Sequence, residues 1–379
     1  VFAVASKTSA SGPPASSDLT SPPSELRIPS PIPSPIPSPT VSPPLVFAPF
    51  DGLCSAALKF NVFGDVFLSV DRPRPTASLL ENIDPMIDWA HFNVVNLEGV
   101  VTTRTERAFP DFPFALRMHG ASPALLASRN IRHATRANNH SMDFGPEGMR
   151  DTSAALRKAG IAWTGVGENV MEAMEPLILE REGIRVGILS FTTTYPDGAW
   201  ASETRPGVPF PTAGRLRHAL GKLKQRVDYV AAVFHWGEER SQELRPHQPE
   251  LARIALSAGA DIVLGHHAHI AQAVETIGGK WAVYGLGNFL FHSNSPTARF
   301  GLGASIELCR PTKGAAISAR LALVPLDTFN LRTNYATRFM ARDMFHEAIA
   351  PYVKKKLVSP EVPFYVAGEP PLARPSTRE

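Results

Sequence analysis

The sequence predicts a layered α/β domain, on three observations. Short apolar runs of strand length alternate along the chain with stretches whose apolar residues recur at helical spacing. Polar residues able to bind ligands follow directly after those runs, as they do where the strand ends of an open α/β sheet frame a crevice. The composition, 44% hydrophobic and 19% charged over 379 residues, is sufficient to bury a large core.

In chain order, Val1-Phe2-Ala3-Val4-Ala5 before Ser6 has the form of the end of a signal peptide with an A-x-A cleavage site. It sets the expectation of an extracytoplasmic location: periplasmic, secreted or membrane-associated outside the cell. Residues 1–50 are expected to be a disordered Pro- and Ser-rich linker, typified by the run from Pro29 to Pro39 in which every second residue is proline. Proline fixes φ and removes a backbone donor, so this stretch favours polyproline II and a semi-rigid spacer.

The globular domain is expected over residues 58–326. Phe60–Phe63, Phe92–Val95, Val186–Leu189, Tyr229–Phe234, Ile262–Leu264 and Trp281–Tyr284 read as buried strands. Helices are expected at Ala121–Ser128, Gly145–Ala159, Ala213–Lys224 and Pro246–Ala258. Residues 327–379 are expected to form a C-terminal extension and tail, with a helix over Ala341–Lys355 and a Pro-rich end from Glu369 to Pro375. No run approaches the roughly 20 apolar residues of a membrane-spanning helix.

Several function classes fall away on composition and motif. A net charge of +3 does not make the dense basic patch of a nucleic-acid binder, so no nucleic-acid partner is expected, while an anionic substrate is not repelled. Gly165-Val166-Gly167 lacks the third glycine of a dinucleotide fingerprint, and Gly221-Lys222 runs into Leu223, so there is no nucleotide P-loop. Cys54 and Cys309 belong to no short-spaced pair. Two separate buried thiols are the expectation, with a disulfide as the alternative in an oxidising compartment. Lone histidines such as His133 and His218 are expected on the surface or on helices.

The chemistry concentrates after the strands: Gly64-Asp65, then Asn96-Leu97-Glu98, Asn138-Asn139-His140, His235-Trp236-Gly237 and Gly265-His266-His267-Ala268-His269. Imidazoles, carboxylates and an amide oxygen form a ligand set suited to zinc, manganese or iron, and the absence of thiolates disfavours a structural zinc site. Three imidazoles within four residues are costly to bury without a shared task, so a metal role is assigned to the cluster ending at His269. His266 could stand behind the ligands. Asp65 could instead form a turn, His235 could cap a core, and Asn288 is expected to line the pocket as a hydrogen-bond partner.

These segments, together with Asp143, Gly145, Glu238, Gly259-Ala260-Asp261 and Leu286-Gly287-Asn288-Phe289, occur in the order seen in CapA proteins. The chain therefore resembles the CapA family of poly-γ-glutamate capsule biosynthesis over about Lys59 to Phe291, within the calcineurin-like metallophosphatase group. The resemblance implies a four-layer α/β/β/α sandwich with one or two divalent metal ions. Carried over by motif, Asp65 and His269 would serve a first metal, Asn139, His235 and His267 a second, and Glu98 would bridge. His140 would be the catalytic acid. One departure stands out: where members of that metallophosphatase group typically have D-x-H, this chain reads Asp65-Val66-Phe67, so a histidine ligand to the first metal is missing.

The function so implied is metal-assisted hydrolysis of a phosphoester or γ-glutamyl-type bond in an anionic polymer or peptide substrate. ATP-driven polymerisation would be left to membrane-bound synthase subunits as partners. Two other readings stay open: a metal-dependent peptide epimerase using the same pocket, and a non-catalytic polymer-binding scaffold, which the missing histidine favours and the presence of His140 disfavours.

Overall fold

The computed structural model of the protein describes residues 54–341 and residue 344. The Pro- and Ser-rich segment, nearly all of the helix expected over Ala341–Lys355 and the Pro-rich end lie outside them. The first half of the domain runs β1 (Ala56–Phe67), α1 (Asp84–Trp89), β2 (Phe92–Leu97), β3 (Val100–Val101), β4 (Arg117–Met118), α2 (Ser122–Ser128), β5 (Ile131–Thr135), α3 (Gly145–Lys158), β6 (Ala162–Thr164), α4 (Val170–Ala173), β7 (Leu177–Arg181) and β8 (Ile184–Thr192). The second half runs α5 (Ala213–Lys224), β9 (Tyr229–His235), α6 (His247–Ser257), β10 (Ile262–His266), β11 (Val274–Ile277), β12 (Lys280–Val283), β13 (Asn288–Phe291), β14 (Phe300–Arg310), β15 (Ser318–Asp327), α7 (Asn330–Thr333) and β16 (Arg338–Phe339).

Two large sheets result. The first has the order β16-β15-β14-β1-β2-β5-β6, with β13 also paired to β1; the second has the order β11-β12-β10-β9-β8-β7. In the first, β1, β2, β5 and β6 run parallel and the β14–β15 hairpin continues the sheet antiparallel. In the second, β8, β9, β10 and β12 are parallel, flanked by antiparallel β7 and β11.

Side-chain alternation turns these sheets into four layers. On β9, Tyr229, Ala231 and Val233 face the core between the sheets, and the intervening Val230, Ala232 and Phe234 face α5 and α6. On β1, Leu58, Phe60 and Val62 enter the same inter-sheet core, whereas Phe63 and Val66 pack with Met86, Ile87, Leu125, Leu126 and Leu156 of α1, α2 and α3. The order helix, sheet, sheet, helix is the sandwich implied by the resemblance. Each fully buried Val, Leu, Ile, Phe or Met side chain among these contributes about 1.5–3 kcal/mol.

Local signals mark where helices begin. The Thr212 hydroxyl accepts from Arg215 N–H at 3.2 Å ahead of α5, and α3 carries Pro146 at its first turn with Arg157 and Lys158 in its last. Strand β1 is shared between two neighbours on one edge: Ala56 to Val62 pair antiparallel with β14, and Asp65 to Phe67 pair parallel with β13. The register shifts around Gly64 and Asp65, a bulge next to the site.

Two expectations are corrected. Cys54 and Cys309 are joined in a disulfide with Cα atoms 5.4 Å apart, because the pairing of Ala57 with Cys309 brings the start of β1 against the end of β14. His133 is not on the surface or a helix; it lies on β5, half-buried against the Phe92 ring, and burial pushes its pKa down to about 4.

Candidate metal centre

The carboxyl ends of five strands from both sheets meet at one place. Asp65 lies near the end of β1, Glu98 follows β2, Asn139 and His140 follow β5, His235 ends β9, and His267 and His269 follow β10. Backbone close approaches require glycine ahead of two of them. A Cβ on Gly64 would fall 1.9 Å from Gly287 O, and one on Gly265 would fall 1.9 Å from Tyr284 O. His267 and His269 hold φ of +87° and +56°, a left-handed conformation that residues with a Cβ adopt only where the surroundings impose it.

The six residues nominated as ligands, Asp65, Glu98, Asn139, His235, His267 and His269, lie together here. Glu98, His235 and His267 can each bring a ligand atom within 4.8 Å of the others, and so can Asp65, Glu98 and His269. Glu98 is common to both groups. Its Oε1 lies 3.5 Å from His235 Nε2 and 3.8 Å from His269 Nε2. Asn139 Oδ1 is 2.8 Å and His267 Nδ1 is 3.1 Å from the same His235 Nε2, and Asp65 Oδ2 is 3.4 Å from His269 Nδ1. Phe67 packs on Phe291, whose ring lies 4.6 Å from that of His269.

The residues fit divalent metal ions. Both carboxylate oxygens of Glu98 are buried without a hydrogen-bond partner, an arrangement that costs several kcal/mol unless a cation answers it. Burial, then repulsion from Asp65, pushes the Glu98 carboxyl up to about 8. Burial would also raise Asp65, but hydrogen bonds from His266 and His269 hold it well below the carboxylate range. Burial holds His235 and His267 well below the ordinary histidine value, so both are neutral imidazoles, the ligand form. His269 is the exception: burial opposes its charge, but Glu98 and Asp65 raise it to about 10.

His140 stands apart from the ligand groups but within reach of their charge. Its Nδ1 lies 2.8 Å from Asp143 Oδ2. Burial opposes its protonation, yet the hydrogen bond and charge of Asp143 raise its pKa above the ordinary value, with a further contribution from Glu98.

Other polar residues organise the set. Asn96 Nδ2 donates to Asp65 Oδ1 at 2.8 Å and lies 3.3 Å from His235 Nδ1. Asn138 donates to Leu97 O at 2.9 Å and accepts from His140 N–H at 3.1 Å, tying the β5 loop to the β2 end. An asparagine within the otherwise apolar run from Val94 to Leu97 was the available signal, since a buried amide must find partners. Asn288 Oδ1 lies 2.9 Å from His269 Nδ1, and His266 Nδ1 lies 3.0 Å from Asp65 Oδ1, behind the ligand groups.

Comparison with known proteins follows the same residues. Positions 59–293 match the model of the family described as bacterial capsule synthesis protein PGA_cap. The PGA biosynthesis protein CapA of Bacillus subtilis is 28% identical over 240 residues, 62% of this chain and 63% of that protein. The capsule biosynthesis protein CapA of Bacillus anthracis is 35% identical over 159 residues, 41% of this chain and 39% of that one. The chain thus spans less than two thirds of the length of either relative. A probable polyglutamine synthesis accessory protein of Mycobacterium tuberculosis is 29% identical over 65% of this chain and 68% of its own length. Among solved structures, a putative 5'-nucleotidase from Staphylococcus aureus is similar at a TM-score of 0.46 and 16% identity, covering 71% of this chain and 54% of that one. That likeness is too loose to transfer anything to this protein.

Proposed function

The chain belongs to the bacterial capsule synthesis protein family PGA_cap, and on that premise we propose that it is a metal-dependent hydrolase of poly-γ-glutamate capsule biosynthesis, cleaving a phosphoester or γ-glutamyl-type bond. The observation that carries this reading is the pair of buried ligand groups sharing Glu98, with His140 close by. Nitrogen and oxygen donors without thiolate suit manganese, zinc or iron.

Bound there, divalent ions would supply Lewis acidity and neutralise charge on the reacting group. The residues of the chain provide the rest. Asp143 fixes His140 through Nδ1, leaving Nε2 to give a proton to a departing oxygen or nitrogen, and its hydrogen bond and charge favour the protonated imidazole against burial. Asn96 and Asn138 hold Asp65 and the His140 loop in place, so the donors are oriented before substrate arrives.

An extracytoplasmic setting and synthase subunits in the membrane are part of the proposal. The Cys54–Cys309 disulfide supports the former, because such bonds persist in oxidising compartments. Among the described residues no helix is long and apolar enough to cross a membrane.

The test is elemental analysis of the full chain beside Glu98→Ala and His267→Ala, with a screen of phosphoesters and γ-glutamyl peptides. Bound metal that falls in both variants, with hydrolysis slowed about 10²-fold or more by His140→Ala, is the expected result. Solvent deuterium entering a peptide α-carbon without hydrolysis would replace the reading by the epimerase. No metal after reconstitution would sink the enzyme reading and leave the scaffold.

A further inference from the structure

A cleft of about 240 Å³ is lined by Phe144, the residue after Asp143, and by Phe67, Ser69, Asp71, Arg107 and Arg117 among others. Its two guanidinium groups are differently placed from the other arginine of the same loop. Arg104 is committed to Asp151, at 3.1 Å. Arg107 and Arg117 form no ion pair with a carboxylate among the described residues. Arg107 donates to the Phe112 carbonyl and keeps a buried Nε with no hydrogen-bond partner, while Arg117 Nη1 donates to Arg104 O at 3.2 Å. The one acid in the lining, Asp71, is met by the Ser69 hydroxyl at 3.3 Å. The cleft therefore presents two cationic forks against one carboxylate.

The cleft is joined to the proposed catalytic histidine by a single oxygen. Asp143 Oδ2 lies 2.8 Å from His140 Nδ1 and also accepts from Leu116 N–H at 2.6 Å, the residue before Arg117. Phe144, next to Asp143, and Phe67, two residues after Asp65, form its walls. A group held by Arg107 and Arg117 is consequently tethered to the same element that orients His140.

We propose that this cleft is an oxyanion subsite in which Arg107 and Arg117 hold a carboxylate of an anionic polymer next to the bond being cleaved. The proposal deepens the hydrolase reading and rests on it for the word cleaved, but not for the binding. A planar fork with paired N–H donors matches a carboxylate bidentately, and a partly buried cleft strengthens such charge-assisted bonds. Carboxylates repeating along a chain would let one occupy the cleft while the neighbouring linkage reaches the ligand groups. Phosphate shares the oxyanion chemistry and is the competing source.

The experiment measures binding by the full chain of short poly-γ-glutamate, polyphosphate and neutral polyglutamine at one fixed salt concentration. Arg107→Gln, Arg117→Gln, Arg107→Lys, Arg104→Gln and His267→Ala are compared, with melting temperatures confirming folding. The expected result is poly-γ-glutamate binding weakened about tenfold or more by either glutamine variant of Arg107 and Arg117, and less by Arg107→Lys, which keeps the charge without the fork. Arg104→Gln should leave it within twofold, and the loss caused by Arg107→Gln should persist in the His267→Ala background. Equal losses from Arg104→Gln, or undiminished binding in the Arg107→Gln/Arg117→Gln double variant, would overturn the proposal. So would arginine-dependent binding of polyphosphate alone. His267→Ala separates the two readings, since it removes the hydrolase while leaving the subsite intact.

Discussion

Glu98 Oε1 stands 3.5 Å from His235 Nε2, with both side chains shut off from water and neither Glu98 oxygen hydrogen-bonded. A carboxylate placed so, and shared by two ligand groups, makes the consequences of its removal different from those of removing either set of imidazoles.

Glu98→Gln is expected to lose both metal equivalents, whereas His267→Asn is expected to lose one, because only Glu98 belongs to both groups. Elemental analysis after dialysis against a fixed metal buffer reads this directly. Equal stoichiometry in the two variants would contradict the sharing.

Asp143→Asn should lower the pKa of His140, since the hydrogen bond and charge of Asp143 are what raise it against burial. The protonated imidazole then survives only to lower pH, so the descending limb of kcat against pH moves down. His140→Ala should cost about 10²- to 10⁴-fold in kcat, the ordinary range for a general acid. A pH profile unmoved by Asp143→Asn would remove the pair from the mechanism.

Gly64→Ala would place a Cβ 1.9 Å from Gly287 O, a backbone atom that cannot swing aside. Displacing β13 from β1 should destabilise the fold by about 3 kcal/mol or prevent soluble expression. Thermal melting of the variant, if it melts within about 1 °C of the parent, would show that the close approach relaxes freely.

Cys309→Ser, or reduction, removes a cross-link between residues 255 apart in sequence. A loss of about 2–5 kcal/mol is expected, read from denaturant melts with and without reductant. Coincident curves would mean that the β1–β14 ladder alone holds the strand ends.

Acid stability should depend on His292. Ser69 N–H donates to its Nδ1 at 3.0 Å, so the bonded form is the neutral imidazole, and burial, then Arg72, lowers its pKa to about 4. A folded pKa below the unfolded value of about 6.5 means that this contribution is complete above that pH and is lost as pH falls towards 4. His292→Asn, which can still accept from Ser69, should lessen the fall in melting temperature between neutral pH and pH about 4.5. An unchanged slope would assign the acid sensitivity to other groups.

Much of this architecture was legible because the parallel strands are continuous apolar runs. Tyr229–Phe234 reads as a buried strand, and its side chains do divide between the two faces of one sheet. The helix expected over Ala213–Lys224 has those bounds. The long β14–β15 hairpin was missed, since Phe300–Arg310 mixes Gly301, Gly303 and Glu307 into a pattern that only its neighbours resolve. At the site, residue identity and order were enough to nominate the ligand groups. What sequence could not supply was the supporting geometry: the approach of Gly287 O to Gly64, the left-handed turns at His267 and His269, and the single Asp143 oxygen joining Leu116 to His140. Each depends on segments far apart in the chain. The disulfide was hidden for the same reason, as nothing in a separation of 255 residues announces that the start of β1 and the end of β14 bring Cys54 and Cys309 together.

The divided edge of β1 separates endurance from chemistry along one strand. Its first seven residues answer to the β14 hairpin, and its last three to β13, which arrives directly from the loop after β12. Sequence drift in the hairpin can loosen or tighten the domain as a whole while Asp65 keeps its position. Drift in the short β13 segment has no such freedom, because the same few hydrogen bonds that finish the strand also aim its carboxylate.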